Sequence, residues 1–118
     1  MSIAAEVIVA GWIDFEPGDR NEALRHLSEV VAASRCEPGC LDYVFSPDPD
    51  LPGRVRVFEH WDSDASLTEH LTLPHVVRLS KALAPLTRTG RSLTHATLAV
   101  SRPMGSPSAP ADTRPRGA

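Results

Sequence analysis

The sequence lacks an excess of positive charge. Its 118 residues carry 12 Lys and Arg against 15 Asp and Glu, which gives a formal net charge of −3, and Lys81 is the single lysine. Proteins that bind nucleic acid need a basic surface to neutralise phosphates. We therefore expect no nucleic-acid partner.

Long hydrophobic runs are also missing. The longest apolar stretch, residues 3–15, is interrupted by Glu6 and Asp14 and follows no basic segment. A membrane-spanning helix needs about 20 apolar residues, and a secretory signal begins with a basic region. We expect a cytoplasmic protein that does not enter a membrane.

Cysteine is scarce. Cys36 and Cys40 flank Glu-Pro-Gly, a spacing that matches neither a redox Cys-x-x-Cys pair nor, without a second pair, a zinc site. Disulfides are rare in the cytosol, so we predict two free thiols. The histidine spacings match no metal-binding pattern either, and we predict no metal site.

The remaining composition indicates one folded domain over residues 1–101. Residues 102–118 contain four prolines and a single large apolar side chain, Met104. Such a segment buries too little surface to offset the entropy lost on ordering. It is predicted to be a disordered Pro-rich tail.

Hydrophobic periodicity predicts strands and helices in the order β-α-β-β-α-β. Strands are expected at 6–16, 41–46, 54–61 and 92–100. A first helix is expected to end near residue 35, and a second, interrupted at Pro74, lies between residues 62 and 86. This order is the α+β, ferredoxin-like arrangement, an antiparallel sheet with both helices on one face.

The first strand is apolar on both sides, with Val9 and Ile13 on one and Ile8 and Trp12 on the other. Helices can cover only one of these faces. Because soluble monomers rarely expose large apolar patches, we expect a homodimer through the bare sheet face.

His70 is the first candidate for chemistry. It shares a helical stripe with Leu67 and Leu71, so it should face the sheet, and Leu67 is assigned with it to a substrate pocket. An imidazole there can act as a general base near neutral pH. A hydrogen-bonded core histidine is the alternative.

Glu59 and Trp61 share one strand face with Val55 and Val57. A carboxylate among apolar neighbours must find a partner or raise its pKa, which makes Glu59 either a second catalytic candidate or half of a structural ion pair. The indole of Trp61 either contacts substrate or anchors the core.

Three further residues are candidates for substrate contact. Tyr43 is predicted to share a strand face with Leu41 and Phe45. Trp12 faces either the pocket or the dimer interface. His75 follows the helix break and is expected to be a half-exposed loop residue.

Four segments carry a family resemblance: Glu37-Pro-Gly-Cys-Leu-Asp-Tyr43, Val57-Phe-Glu-His-Trp61, Asp62-Ser-Asp-Ala-Ser-Leu67, and Glu69-His70. Their order resembles the antibiotic biosynthesis monooxygenase family of dimeric α/β barrels. The resemblance implies a homodimer with a pocket between sheet and helices in each subunit. It also implies oxidation of anthrones or quinols by O2 without metal or flavin, so no cofactor is expected.

One family feature is missing. Haem-degrading and anthrone-oxidising members pair a strand asparagine with the tryptophan, whereas Asn21, the only asparagine, belongs to the first helix. This departure disfavours haem degradation most, and it also weakens the hypothesis of anthrone oxidation.

The resulting hypothesis is a cofactor-independent monooxygenase acting with O2 on a phenolic, anthrone or quinol substrate in aromatic polyketide (antibiotic) biosynthesis, with His70 or Glu59 as base. The alternatives are a proton-transferring isomerase or cyclase and a non-catalytic small-molecule-binding dimer.

Overall fold

The computed structural model describes residues 4–105. Its strands are β1 (Val7–Phe15), β2 (Cys40–Pro47), β3 (Arg54–Trp61) and β4 (Arg88–Thr97). Its helices are α1 (Pro17–Glu29), α2 (Val31–Arg35), α3 (Asp64–His70) and α4 (Pro74–Leu83). Within the described range no helix combines the length and apolar character needed to cross a membrane.

Most of the predicted tail, residues 102–118, lies outside the described residues, and its disorder stays a prediction. Residues 102–105 are exposed and belong to no helix or strand. The domain boundary at 101 likewise stays a prediction.

The four strands form one antiparallel sheet in the order β2-β3-β1-β4. In this register Glu59 of β3 lies between Val9 of β1 and Tyr43 of β2. The α+β ferredoxin-like prediction is confirmed, because the two helical segments connect the strands in the βαββαβ order.

The core lies between the helices and one face of the sheet. Alternate strand residues point to this face, and its buried members are Val7, Phe15, Tyr43, Val55, Val57 and Trp61. The helices contribute Ala23, Leu27 and Leu67, with Val30 between α1 and α2. Apolar residues at these positions explain why the segments fold against each other.

The opposite face of the sheet carries Trp12. The guanidinium of Arg54 stacks 3.7 Å from the centre of its ring and forms a bidentate ion pair with Asp14, with N–O distances of 2.8 and 3.0 Å. The same face holds half-buried Ala10 and Phe58, which are paired across β1 and β3.

Three local predictions were wrong. A register shift between Cys40 and Asp42 turns Leu41 outward, so that it is 52% exposed and does not share the inner face with Tyr43. The last strand begins at Arg88 instead of residue 92. Its pairing with β1 continues past a register shift between Asp14 and Phe15, at the end of β1, where Phe15 pairs with Arg88. The first predicted helix is also divided, since α1 ends before Val30 and α2 follows.

The turn between α2 and β2 positions Glu37. Gly39 has φ +87°, a left-handed backbone conformation that residues with a Cβ atom rarely adopt. A Cβ at this position would also collide with the side chains of Ser66 and Asp62. The carbonyl of Gly39 accepts a hydrogen bond from the Asp62 backbone N–H at 2.8 Å. Glycine therefore lets this turn pack against the end of β3.

Gly39→Ala is expected to destabilise the protein by at least about 1–3 kcal/mol, because it adds both backbone strain and a steric clash. Urea unfolding measures the change. Gly18→Ala in α1 is the matched control, since a Cβ there meets nothing within 4 Å, and its effect should be neutral or slightly stabilising. Equal effects of the two substitutions would contradict the role given to Gly39.

Candidate functional site

His70 lies at the end of α3 and is only 2% exposed. Its ring packs 4.7 Å from the ring of Trp61 and 5.2 Å from that of Tyr43, between centroids. Nδ1 lies 2.8 Å from Oε2 of Glu37. When this nitrogen donates to the carboxylate, the neutral ring keeps its lone pair on Nε2.

The same oxygen of Glu37 bonds a second histidine. His75 Nε2 lies 2.7 Å from Oε2, and the Glu37 side chain is only 6% exposed. His75 stands in the first turn of α4, after Pro74 at the helix start, so the loop position expected for it was wrong. Its side chain is 17% exposed, which makes it the outermost of the three residues.

Glu59 flanks His70 on the sheet side. Its Oε1 accepts a hydrogen bond from the Trp61 indole N–H at 3.1 Å and lies 4.0 Å from His70 Nε2. Burial raises the pKa of Glu59 above its usual 4.5. The Trp61 hydrogen bond and the charge of His70 partly oppose this rise, and the charge of Glu37 adds to it. His70 therefore stands between two carboxyl groups.

Tyr43 and Leu67 complete the apolar surroundings. Tyr43 packs edge-on against Phe45, with ring centroids 5.1 Å apart, and Leu67 belongs to the same buried cluster. Burial, followed by the charge of Glu59, raises the pKa of Tyr43. Its hydroxyl consequently remains protonated at neutral pH.

Trp12 does not join this cluster. It alternates with Gly11 and Ile13 along β1 and stacks with Arg54 on the opposite face of the sheet. Of the residues selected from the sequence, the structure brings together Tyr43, Glu59, Trp61, Leu67, His70 and His75.

Glu37 was missed as a site residue. Its contacts with His70 and His75 span 33 and 38 residues of sequence, which no helical or strand periodicity reveals. The available signal was a carboxylate directly before a Pro-Gly turn that follows a helix, since such a turn can hold a side chain against neighbouring elements.

A groove between α1 and α4 reaches the cluster from outside. Its volume is about 320 Å³, and its lining includes His75, His26, Arg78 and Leu79. His75 is the cluster member that borders this groove. Hydrogen bonds connect His75 at this groove to Glu37, and Glu37 to the buried His70.

Two further histidines, His60 and His95, lie outside this cluster and pair with other carboxylates. His60 Nε2 lies 2.6 Å from Glu6, and His95 Nε2 lies 3.0 Å from Asp64. Both cysteines lie within the described residues and are free thiols, as predicted. Burial raises the pKa of Cys40 to about 11, so this thiol is not a nucleophile at neutral pH.

The family model for antibiotic biosynthesis monooxygenases matches residues 7–82. The chain belongs to this family. The matched range contains Glu37 and all six residues that the structure gathers around it. The resemblance identified in the sequence is thereby confirmed.

Solved structures of similar chains support the same fold. A candidate antibiotic biosynthesis monooxygenase from Deinococcus radiodurans is 29% identical with a TM-score of 0.74, over 85% of this chain and 99% of that one. Another from Chloroflexus aurantiacus is 28% identical with a TM-score of 0.70, over 86% of this chain and 100% of that one.

A sequence relative, an uncharacterized protein of Synechocystis, is 32% identical over 69 residues, which are 58% of this chain. The match spans about half of that relative, 47% of its length.

Glu59→Gln tests the cost of burying this carboxylate. A pKa that is higher in the folded than in the unfolded state means that stability falls as pH rises from about 4.5 through the folded value. The amide still accepts from Trp61 but does not ionise. The parent therefore loses stability over this pH range through Glu59, and the variant does not. The difference in free energy of unfolding, variant minus parent, should increase as the pH rises.

Urea unfolding in the presence of a chelator, repeated across that range, measures the difference. Exposed Glu22, whose side chain is 52% accessible, provides the control Glu22→Gln, for which the difference should stay nearly flat. A flat difference for Glu59→Gln as well would refute the raised pKa.

Proposed function

We propose that this member of the family is a cofactor-independent monooxygenase that oxidises a phenolic, anthrone or quinol substrate with O2. The observation that carries the proposal is the buried imidazole of His70, bonded to Glu37 through Nδ1 and packed against Trp61. A general base of this kind, held beside flat aromatic walls, suits a planar and weakly acidic substrate.

His70 Nε2 removes a proton from the acidic C–H or O–H of the substrate. Glu37 accepts the Nδ1–H bond throughout and stabilises the imidazolium that forms, which makes it a positioning residue. Glu59, whose pKa burial raises, is the alternative base.

The deprotonated substrate then reacts directly with O2. The carbanion or phenolate transfers one electron to O2, and the two radicals combine to form a C–O bond. The resulting peroxide anion takes the proton back from the His70 imidazolium. Cleavage of the O–O bond, with loss of the remaining hydrogen on the same carbon, releases water and leaves a carbonyl. For an anthrone, the methylene carbon and O2 become a ketone carbon and water, so one oxygen atom enters each product. The chain contributes deprotonation, orientation and exclusion of water.

Tyr43 and Trp61 would form the apolar walls of the pocket, with Leu67 beside them. The groove bordered by His75 supports entry from the side of α1 and α4. An aromatic polyketide intermediate is the substrate class that best fits such walls together with a base.

A proton-transferring isomerase or cyclase is the second candidate. The distance of 4.0 Å between His70 Nε2 and Glu59 favours it, because the raised pKa of Glu59 pairs an acid with a base across one small space. Turnover that continues under argon would assign this activity instead of the oxygenase.

His70→Ala should lower enzyme-dependent O2 uptake with a model anthrone by about 10²–10⁴-fold, the usual contribution of a general base. An oxygen electrode records uptake by metal-stripped protein, and chromatography identifies the anthraquinone. His95→Ala removes a histidine that pairs with Asp64 at the surface, and its activity should equal that of the parent. Full activity of His70→Ala would exclude His70 from the mechanism.

We further propose a homodimer through the outer face of the sheet. Ile8, Ala10, Trp12, Val44 and Phe58 supply its half-buried apolar side chains. Phe58 stands near the middle of this face, between Ala10 and Val44 in the strand register.

Phe58→Glu should convert the dimer to a monomer, because it buries an unpaired charge in the interface. Light scattering after gel filtration gives the mass. Leu71→Glu is the control, since Leu71 is 60% exposed at the end of α3 in the helical layer, and it should leave the dimer intact. A monomeric parent protein, or a dimeric Phe58→Glu, would rule out this interface.

A further inference from the structure

We propose that Glu37, His70 and His75 form a binding site for a divalent transition-metal ion of the Zn²⁺ type. One donor atom from each residue lies within 4.8 Å of the other two. The inference goes beyond the proposed function, which uses no metal, and it stands on the geometry of the cluster alone.

The two histidines aim at a common point. Nδ1 of His70 and Nε2 of His75 both contact Oε2 of Glu37, at 2.8 and 2.7 Å. Once these nitrogens lose their protons, their lone pairs point in the same directions. An ion that replaces the protons would therefore meet both imidazoles and the carboxylate.

The adjustment required for binding is small. Zinc lies about 2.0–2.1 Å from imidazole nitrogen and about 2.0–2.2 Å from carboxylate oxygen, so two tetrahedral ligands stand roughly 3.4 Å apart. The present N–O separations of 2.8 and 2.7 Å must lengthen by about 0.6–0.7 Å to match this value. The two ring nitrogens lie within 4.8 Å of each other, so rotations of the Glu37 and His75 side chains together would supply these adjustments.

The three ligands come from short, well-anchored segments. The backbone N–H of Glu37 donates to Ser34 at 3.1 Å, and its carbonyl accepts from Cys40 at 3.1 Å. The carbonyl of His70 accepts from the N–H of Leu73, directly before α4, at 3.2 Å. These bonds hold the donors in place before an ion arrives.

Glu59 supplies an independent argument. A metal-bound histidine usually donates its other ring N–H to a carboxylate. With the ion on Nδ1 of His70, the ring proton moves to Nε2, which faces Oε1 of Glu59 at 4.0 Å. Glu59 is itself oriented by Trp61, and an approach of about 1 Å would bring its carboxylate within hydrogen-bond distance of Nε2.

The donor set indicates the class of ion. Two imidazoles and one carboxylate suit Zn²⁺ and other divalent transition metals, whereas Mg²⁺ and Ca²⁺ prefer oxygen ligands. Three protein ligands leave a coordination position for water, and His75 borders the groove through which solvent enters.

Metal binding and base catalysis would exclude each other. The ion occupies Nδ1 of His70 and leaves Nε2 protonated, so the metal-bound form lacks the free lone pair of the proposed base. Divalent transition metals should therefore act as inhibitors of the proposed oxygenase.

The test uses the full chain, stripped with a chelator and then desalted. Titration with Co²⁺, followed by its visible absorption, and calorimetric titration with Zn²⁺ should both show one ion per chain. His75→Ala should weaken Zn²⁺ binding by about 100-fold or more, and Glu59→Gln by about 10-fold, as for a lost outer ligand.

Three controls make the result specific. His60→Ala, His95→Ala and the double variant Cys36→Ser/Cys40→Ser should bind like the parent. Circular dichroism verifies folding of each variant, and His75→Gln replaces His75→Ala if the latter unfolds. No saturable binding, or equal binding after loss of His75, would overturn the proposal, as would loss of binding in the thiol variant.

The outcome is separable from that of the proposed function. Metal binding without anthrone oxidation by the stripped protein would support this site and refute the oxygenase. Oxidation without metal binding would do the reverse.

Discussion

One carboxylate oxygen organises the site. Oε2 of Glu37 accepts hydrogen bonds from His70 and His75 at 2.8 and 2.7 Å, although its side chain is almost entirely buried. A buried carboxylate is unfavourable unless such bonds compensate for the lost water. This requirement fixes the turn after α2 against the adjoining ends of α3 and α4, and it orients His70 towards the sheet.

The sheet side of the site follows from strand register. Glu59 and Trp61 alternate onto the inner face of β3, where the indole N–H holds the carboxylate near His70. An apolar residue at position 59 would fill this core with less electrostatic cost. Instead, a row of titratable side chains runs from Glu59 through His70 and Glu37 to His75 and links the core to the groove. Such an arrangement is typical of sites that move protons.

Much of this architecture follows from the sequence. Alternation along β3 predicts that Glu59 and Trp61 share a face, and helical spacing with Leu67 predicts that His70 faces them. The role of Glu37 does not follow, because it depends on the left-handed Gly39 and on contacts between distant segments. The outward turn of Leu41 depends on an irregularity in β2 that sequence alternation does not show. Trp12 can be assigned to the outer face of the sheet only when the structure shows that the helices cover the opposite face.

The proposed chemistry requires metal-free His70 to be a neutral ring that donates its Nδ1–H to Glu37 and keeps a free lone pair on Nε2. Long-range ¹H–¹⁵N NMR of the chelator-treated protein at about pH 8 reads this state directly, with the His70 signals assigned by their loss in His70→Gln. The Nδ1–H form is the expected result. An Nε2–H ring or an imidazolium at that pH would contradict it, because neither offers the lone pair on which the proposed chemistry depends.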